Sequence, residues 1–111
     1  MQGILNNSGF RNITVAELQA MLQQGGLSLL DVRTEAEAAR GKIPQGELLP
    51  LHLLPLRLHE MDKNAITIFY CQTGGRSGQA AAFAAANGFA EIYNLQGGIC
   101  AWGQAGLPID R

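Results

Sequence analysis

Cys71-Gln-Thr-Gly-Gly-Arg-Ser77 is the stretch whose residue types and spacing suit covalent chemistry. The reactive form of cysteine is the thiolate, and the free amides of a helix start, with an arginine nearby, lower a thiol pKa from about 8.5. Gly74 and Gly75 are expected to take positive φ and leave the loop amides uncovered, so that Cys71 through Arg76 curls around an anion. Lowering a thiol pKa from about 8.5 to about 6.5 raises the thiolate fraction roughly tenfold at pH 7.5, and at most about a hundredfold. Nucleophilicity falls at the same time with a Brønsted slope of about 0.4 to 0.5, which removes some eightfold. Faster attack therefore accounts for little. A ring of amides helps more by holding an anionic product on the sulfur and by orienting the incoming substrate. An inert buried cysteine at a strand end is the plain alternative. The Gly-Gly-Arg-Ser run directly behind Cys71, on a strand-to-helix turn, argues against it. A Walker-type phosphate loop is excluded, because the position that must be glycine in that pattern is Tyr70.

The flanking elements explain how such a loop would be held. Ala65 to Tyr70 is rich in β-branched and aromatic residues and reads as the clearest strand. Ser77 to Ala86 reads as a helix closed by Asn87-Gly88, with alanines that let it lie close to a sheet. Upstream, Thr14-Val-Ala-Glu17 and Thr34-Glu-Ala-Glu37 fit capping boxes, and Gly25-Gly26 and Arg40-Gly41 supply the stops. Leu27 to Val32 between them is a continuous apolar run suited to a strand covered on both faces. Ile43 to Gly46 is a turn, Leu48 to Leu51 a short strand, and Pro55 opens a third helix through Met61. Glu91 to Leu95 is a last strand, followed by the Gln96-Gly-Gly98 turn and a short helix around Trp102. Strands alternating with helices predict an α/β layer structure with a mainly parallel sheet. Ligands then bind beyond the carboxyl ends of the strands, where Cys71 lies.

Composition excludes several function classes. The chain has 111 residues, 47% of them hydrophobic, which is enough for one domain with one core, expected to span residues 1–111. A net charge of -1 offers no field for nucleic acid. No apolar stretch approaches the roughly 20 residues of a spanning helix, and Met1 to Arg11 does not read as a signal peptide. A reducing cytoplasm is the expected setting. Cys71, Cys100, His52 and His59 lack zinc-finger spacing, so no metal site is expected.

Taken together, Leu30-Asp-Val-Arg33, Gly41-Lys-Ile-Pro44, Cys71 to Ser77, Asn87-Gly-Phe89 and Leu95-Gln-Gly-Gly-Ile-Cys-Ala-Trp102, ending in Gly106-Leu-Pro108, resemble the rhodanese family. The resemblance runs from Ile13 to Pro108. It implies the rhodanese fold, a mainly parallel central sheet of about five strands flanked by helices. It also implies a persulfide intermediate on Cys71 and no bound cofactor. Sulfurtransferase-like members of the family have six residues from Cys to Arg inclusive, and the related phosphatases seven; Cys71 to Arg76 is six. The expected activity is transfer of sulfane sulfur from a donor (thiosulfate, a persulfide or a polysulfide) to a thiophilic acceptor, which includes a protein acceptor or carrier. A non-catalytic docking or carrier module is the alternative, a phosphatase a more remote one.

Within that reading Cys71 is the nucleophile, and Gln72, Thr73, Gly74, Gly75, Arg76 and Ser77 form the binding loop. Arg76 either binds an anionic donor or ties the loop to a carboxylate. Gln72 and Thr73 are neutral where thiosulfate-preferring members often carry cations, which widens the donor class to persulfides. Lys42 and Glu47 also depart from the family's usual His and Ala, with no functional reading attached. Asp31 and Arg33 are expected to support the sheet end as a buried pair. His52 and His59 are expected to be solvated, Cys100 to pack in the last helix rather than act as a resolving thiol, and Phe89 and Trp102 to fill the core.

Overall fold

Both capping boxes form in the computed structural model, which describes residues 9–111. Thr14 caps α1 (Val15–Gln24) and Thr34 caps α2 (Glu35–Arg40), each bonding reciprocally with the glutamate three residues on. The reading of Met1 to Arg11 as free of a signal peptide falls almost wholly outside the described residues. None of the described helices is long and apolar enough to cross a membrane.

Five strands pair in the order β1 (Arg11–Ile13), β5 (Glu91–Leu95), β4 (Ile66–Tyr70), β2 (Leu27–Asp31) and β3 (Glu47–Leu48), all parallel. The central strand, β4, is buried from Thr67 to Tyr70. Its side chains alternate between the two faces of the sheet, as the period of a strand requires, so the single core expected from chain length is divided by the sheet into two apolar clusters. Ile68 and Tyr70 join Leu18, Ile43, Leu95 and Trp102 on one face. Phe69 and Cys71 join Leu30, Val32, Leu54 and Phe89 on the other. There α4 (Gly75–Ala86) presents Ala80, Ala81 and Ala84, each 0% exposed, so its axis lies close to the sheet.

Three elements differ from expectation. β1 is an additional strand, and only Ile13 of its three residues is buried. The strand expected over Leu48 to Leu51 is limited to Glu47–Leu48, because Pro50 soon follows and has no amide for a ladder. The third helix is broken into a 3₁₀ turn at Leu51–Leu53, a four-residue α3 (Leu54–Arg57) and a second 3₁₀ turn at Leu58–Glu60. Leu54 and Leu58, four residues apart, are its buried anchors, so a single turn suffices to seat it.

Candidate active site

Cys71 is the first residue beyond the carboxyl end of β4 and is 1% exposed. The chain reverses at Gly74, whose φ of +112° suits glycine, and α4 begins at Gly75. Gly74 is the cap residue of α4 and has no side chain with which to cap it. The sulfur of Cys71 takes that role: Sγ accepts from the Gly74 amide at 3.1 Å, the Ser77 amide at 3.4 Å and the Ser77 hydroxyl at 3.3 Å. Burial pushes the thiol pKa up. Hydrogen bonds from the Ser77 hydroxyl and from the amides of Ser77, Gly74 and Thr73 pull it down further, so it lies below its ordinary value.

Gly75 corrects an expectation. It is the first helical residue rather than a second left-handed position, and a Cβ there meets nothing within 4 Å. The adjacent glycines should therefore respond oppositely to alanine. Gly74→Ala is expected to destabilise by about 1–2 kcal/mol through its left-handed backbone, and Gly75→Ala to stabilise by roughly 0.5–1 kcal/mol. Urea unfolding of the two variants checks the signs.

The end of β2 buttresses the loop from one side. Arg33 meets Asp31 through Nε–Oδ1 at 3.0 Å and Nη2–Oδ2 at 2.8 Å, with both side chains buried. The three remaining guanidinium hydrogens go to the Gly41 carbonyl at 2.8 Å, to Gln72 Oε1 at 3.4 Å and to the Glu37 carbonyl at 3.5 Å. The pair is thus fully engaged, as a buried ion pair must be. The guanidinium also lies 5.7 Å from the ring centre of Tyr70, whose hydroxyl accepts from the Ile43 amide.

Arg76 grips Glu37 of α2 with both arms, at 2.7 and 2.8 Å. The same carboxylate closes the Thr34 capping box. The Arg76 hydrogen bonds, followed by that of the Thr34 amide, pull the Glu37 carboxyl from its ordinary 4.5 to about 2. A lowered carboxyl pKa stabilises the fold above the unfolded value, and the contribution is lost as pH falls from 4.5 toward 2. Both side chains are partly solvated, at 38% and 27% exposure, so the effect is expected to be about 1 kcal/mol or less. Glutamine also serves a capping box. Glu37→Gln should therefore remove this acid-sensitive component and leave α2 intact, as urea midpoints from pH 6 to pH 2.5 would show.

The other side of the loop rests on α5 (Gly98–Gln104). The Ile99 amide donates to the Cys71 carbonyl at 2.9 Å and the Cys100 amide to the Gln72 carbonyl at 3.1 Å. A Cβ on Gly98 would run into both carbonyls. Cys100 is half-buried, and its sulfur accepts from Gln72 Nε2 at 3.3 Å. A cavity of about 620 Å³ opens beside it, lined by Arg33, Arg40, Gln72, Cys100 and Arg111 among others. Phe89 and Trp102 are core residues, 4% and 3% exposed.

His59 is 76% exposed, and His52 is exposed in a shallow depression beyond Arg76. Neither makes a hydrogen bond to Cys71. Among the described residues no three His, Cys, Asp or Glu side chains converge as a metal would require. The sequence reading did not single out Asn94, which meets Ser77, or assign Glu37 to Arg76. These partners lie 17 and 39 residues apart, beyond the reach of any local pattern.

A parallel α/β sheet whose central strand delivers a buried cysteine into a ring of helix-start amides defines a rhodanese-type fold. The chain belongs to the family described as Rhodanese-like domain, whose family model matches residues 14–105. A sulfurtransferase of Allochromatium vinosum is 47% identical over 81 residues, covering 73% of this chain and 76% of that protein. The thiosulfate sulfurtransferase GlpE of Pseudomonas fluorescens is 33% identical, with 86% of each chain covered. The human single-domain sulfurtransferase TSTD1 superposes with a TM-score of 0.80 at 27% identity, covering 84% of this chain and 95% of that one.

Proposed function

We propose that this protein, a single rhodanese domain over residues 1–111, transfers sulfane sulfur through a persulfide on Cys71. The observation that carries the reading is the convergence of the Gly74 amide, the Ser77 amide and the Ser77 hydroxyl on Sγ, across the six-residue Cys71–Arg76 loop and the serine that follows it. In the first displacement the Cys71 thiolate forms a bond to the sulfane sulfur of the donor. The donor's own bond to that sulfur breaks, and the electron pair leaves with sulfite or with a donor thiolate. In the second, an acceptor thiolate attacks the outer sulfur and the electron pair of the broken S–S bond returns to Sγ. Charge is conserved in both steps, and no cofactor is needed.

The amides of residues 72–76 hold the outer, anionic sulfur. Gly75 and Arg76 are suited to this because the first amides of a helix have no partner within it. Arg76 acts by anchoring the loop to Glu37, Asp31 and Arg33 by bracing Gln72. The neutral Gln72 and Thr73, with the cavity that Gln72 lines, favour a donor larger than thiosulfate, a low-molecular-weight persulfide or polysulfide. Arg40 and Arg111 line that cavity and take part in no ion pair among the described residues. The acceptor is a small thiol or a protein carrier, and the free cysteines suit a reducing cytoplasm.

Mass spectrometry after parallel incubation with thiosulfate, glutathione persulfide and polysulfide tests this. The peptide containing Cys71 should gain one sulfur, about 32 Da. Absence of the adduct from the wild type, or an equal protein gain in Cys71→Ser, would sink the proposal. Phosphate release from an aryl phosphate should be negligible, and robust turnover would instead support a phosphatase.

A further inference from the structure

Ser77 is 0% exposed, and its hydroxyl faces two acceptors. Cys71 Sγ lies 3.3 Å away and Asn94 Oδ1 2.5 Å. A serine hydroxyl has one hydrogen and can serve only one of them at a time. The orientation of the Asn94 amide decides what lies on its side. Asn94 Nδ2 donates to Asn12 Oδ1 at 2.8 Å and lies 3.4 Å from the Gly74 carbonyl, a group that can only accept. Turning the amide over would set Oδ1 against that carbonyl oxygen. Oδ1 is therefore held toward Ser77, and Asn94 itself is 6% exposed.

Three states of the sulfur place different demands on that hydrogen. With the hydrogen on Asn94, the Ser77 oxygen is left as an acceptor, which suits a neutral S–H. A thiolate needs the hydrogen turned to Sγ, and Asn94 Oδ1 is then buried without its donor. In a persulfide the charge sits on the outer sulfur, and Sγ, singly bonded to Cβ and to that sulfur, is only a weak acceptor, like a thioether.

We propose that Asn94 is a positioning residue acting through Ser77: its Oδ1 holds the Ser77 hydrogen while Cys71 carries the outer sulfur, and yields it to Sγ when the sulfur departs. This rests on the persulfide reading above. On discharge, the electron pair of the S–S bond returns to Sγ and the hydroxyl rotates; no proton changes owner. Asn94 thus competes with the thiolate and favours the loaded state.

The sign of this effect is opposite to that of a simple support. On a Cys100→Ser background, the Cys71 thiolate is titrated by its ultraviolet absorbance in the parent, Asn94→Ala, Ser77→Ala and the double variant. Asn94→Ala is expected to raise the acid dissociation constant roughly 3- to 10-fold, since the hydroxyl is freed for Sγ. Ser77→Ala lowers it, and adding Asn94→Ala then changes nothing further. The charged groups around the loop, Arg76 with Glu37 and Asp31 with Arg33, are common to all four proteins and cancel in the comparison. Asn94→Leu, close in volume and without an acceptor, replaces Asn94→Ala if the latter unfolds.

In a glutathione and glutathione persulfide buffer above all four titration midpoints, Asn94→Ala should shift the balance from persulfide to thiolate by the same factor. A decreased dissociation constant in Asn94→Ala, or an equal shift with and without Ser77, overturns the toggle. A parent that titrates as expected and never takes up sulfur overturns the persulfide reading, and the loaded-state half of the proposal with it.

Discussion

Cys71→Ser is expected to abolish sulfur transfer, lowering turnover on the order of 10⁴-fold or more, the scale on which loss of a covalent nucleophile is felt. The reason lies in what the loop stabilises. Three donors converge on Sγ and favour an anion there, and the thiol pKa lies below its ordinary value. An alcohol in the same place stays protonated at neutral pH and is a weak nucleophile without an adjacent base. Neither histidine is hydrogen-bonded to residue 71, so neither is placed to act as a base that rescues it. Stability should move little, by about 1 kcal/mol or less, because a serine oxygen can take over capping of α4. A large loss of turnover with an unchanged urea midpoint therefore identifies the sulfur as chemical rather than structural. Turnover close to wild type would move the chemistry to the only other cysteine, Cys100. Cys100→Ser is the matched control and should retain most of the activity, since that thiol borders the cavity and accepts from the Gln72 side chain rather than from the backbone amides that meet Cys71.

What was legible in the sequence was what local spacing encodes. Thr14 with Glu17 and Thr34 with Glu37 marked two helix starts, because a capping box closes within four residues. The Ala65 to Tyr70 run marked β4, and the glycines behind it marked a turn into a helix. The Arg11–Ile13 strand had no such mark. Its existence depends on β5, whose Tyr93 pairs with Arg11 from the far end of the chain. The same limit governs the site. Arg76 read equally well as a substrate ligand or as a tie to a carboxylate, and only the fold supplies Glu37. Gly74 and Gly75 look alike in sequence. One is the left-handed residue of the turn and the other the first of the helix, a difference set by where β4 delivers the chain. Asn94 carried no local signal, since its partners Asn12 and Ser77 lie on two other elements.

Gly98→Ala is expected to be strongly damaging although it lies outside the loop itself, with a loss of about 3 kcal/mol. Gly98 has a φ of +58°, and a Cβ there would overlap the carbonyl oxygens of Cys71 and Gln72. Neither carbonyl can retreat at low cost, because the Ile99 and Cys100 amides hold both of them. Left-handed strain contributes about 1–2 kcal/mol, and overpacking against backbone another 1–3 kcal/mol. For a domain of this size, such a loss corresponds to a fall in Tm of roughly 12–24 °C. Gly103 lies in the same helix with nothing within 4 Å of its Cβ position. Gly103→Ala should therefore be neutral or stabilise by roughly 0.5–1 kcal/mol. Calorimetry of the two variants separates a general intolerance of α5 from a specific clash with the cysteine loop. If Gly98→Ala melts within a few degrees of wild type, the loop is free to move off α5. If it is destabilised as expected, sulfur loading at a temperature where it remains folded should also slow, since relief of the clash must shift the backbone that aims Sγ.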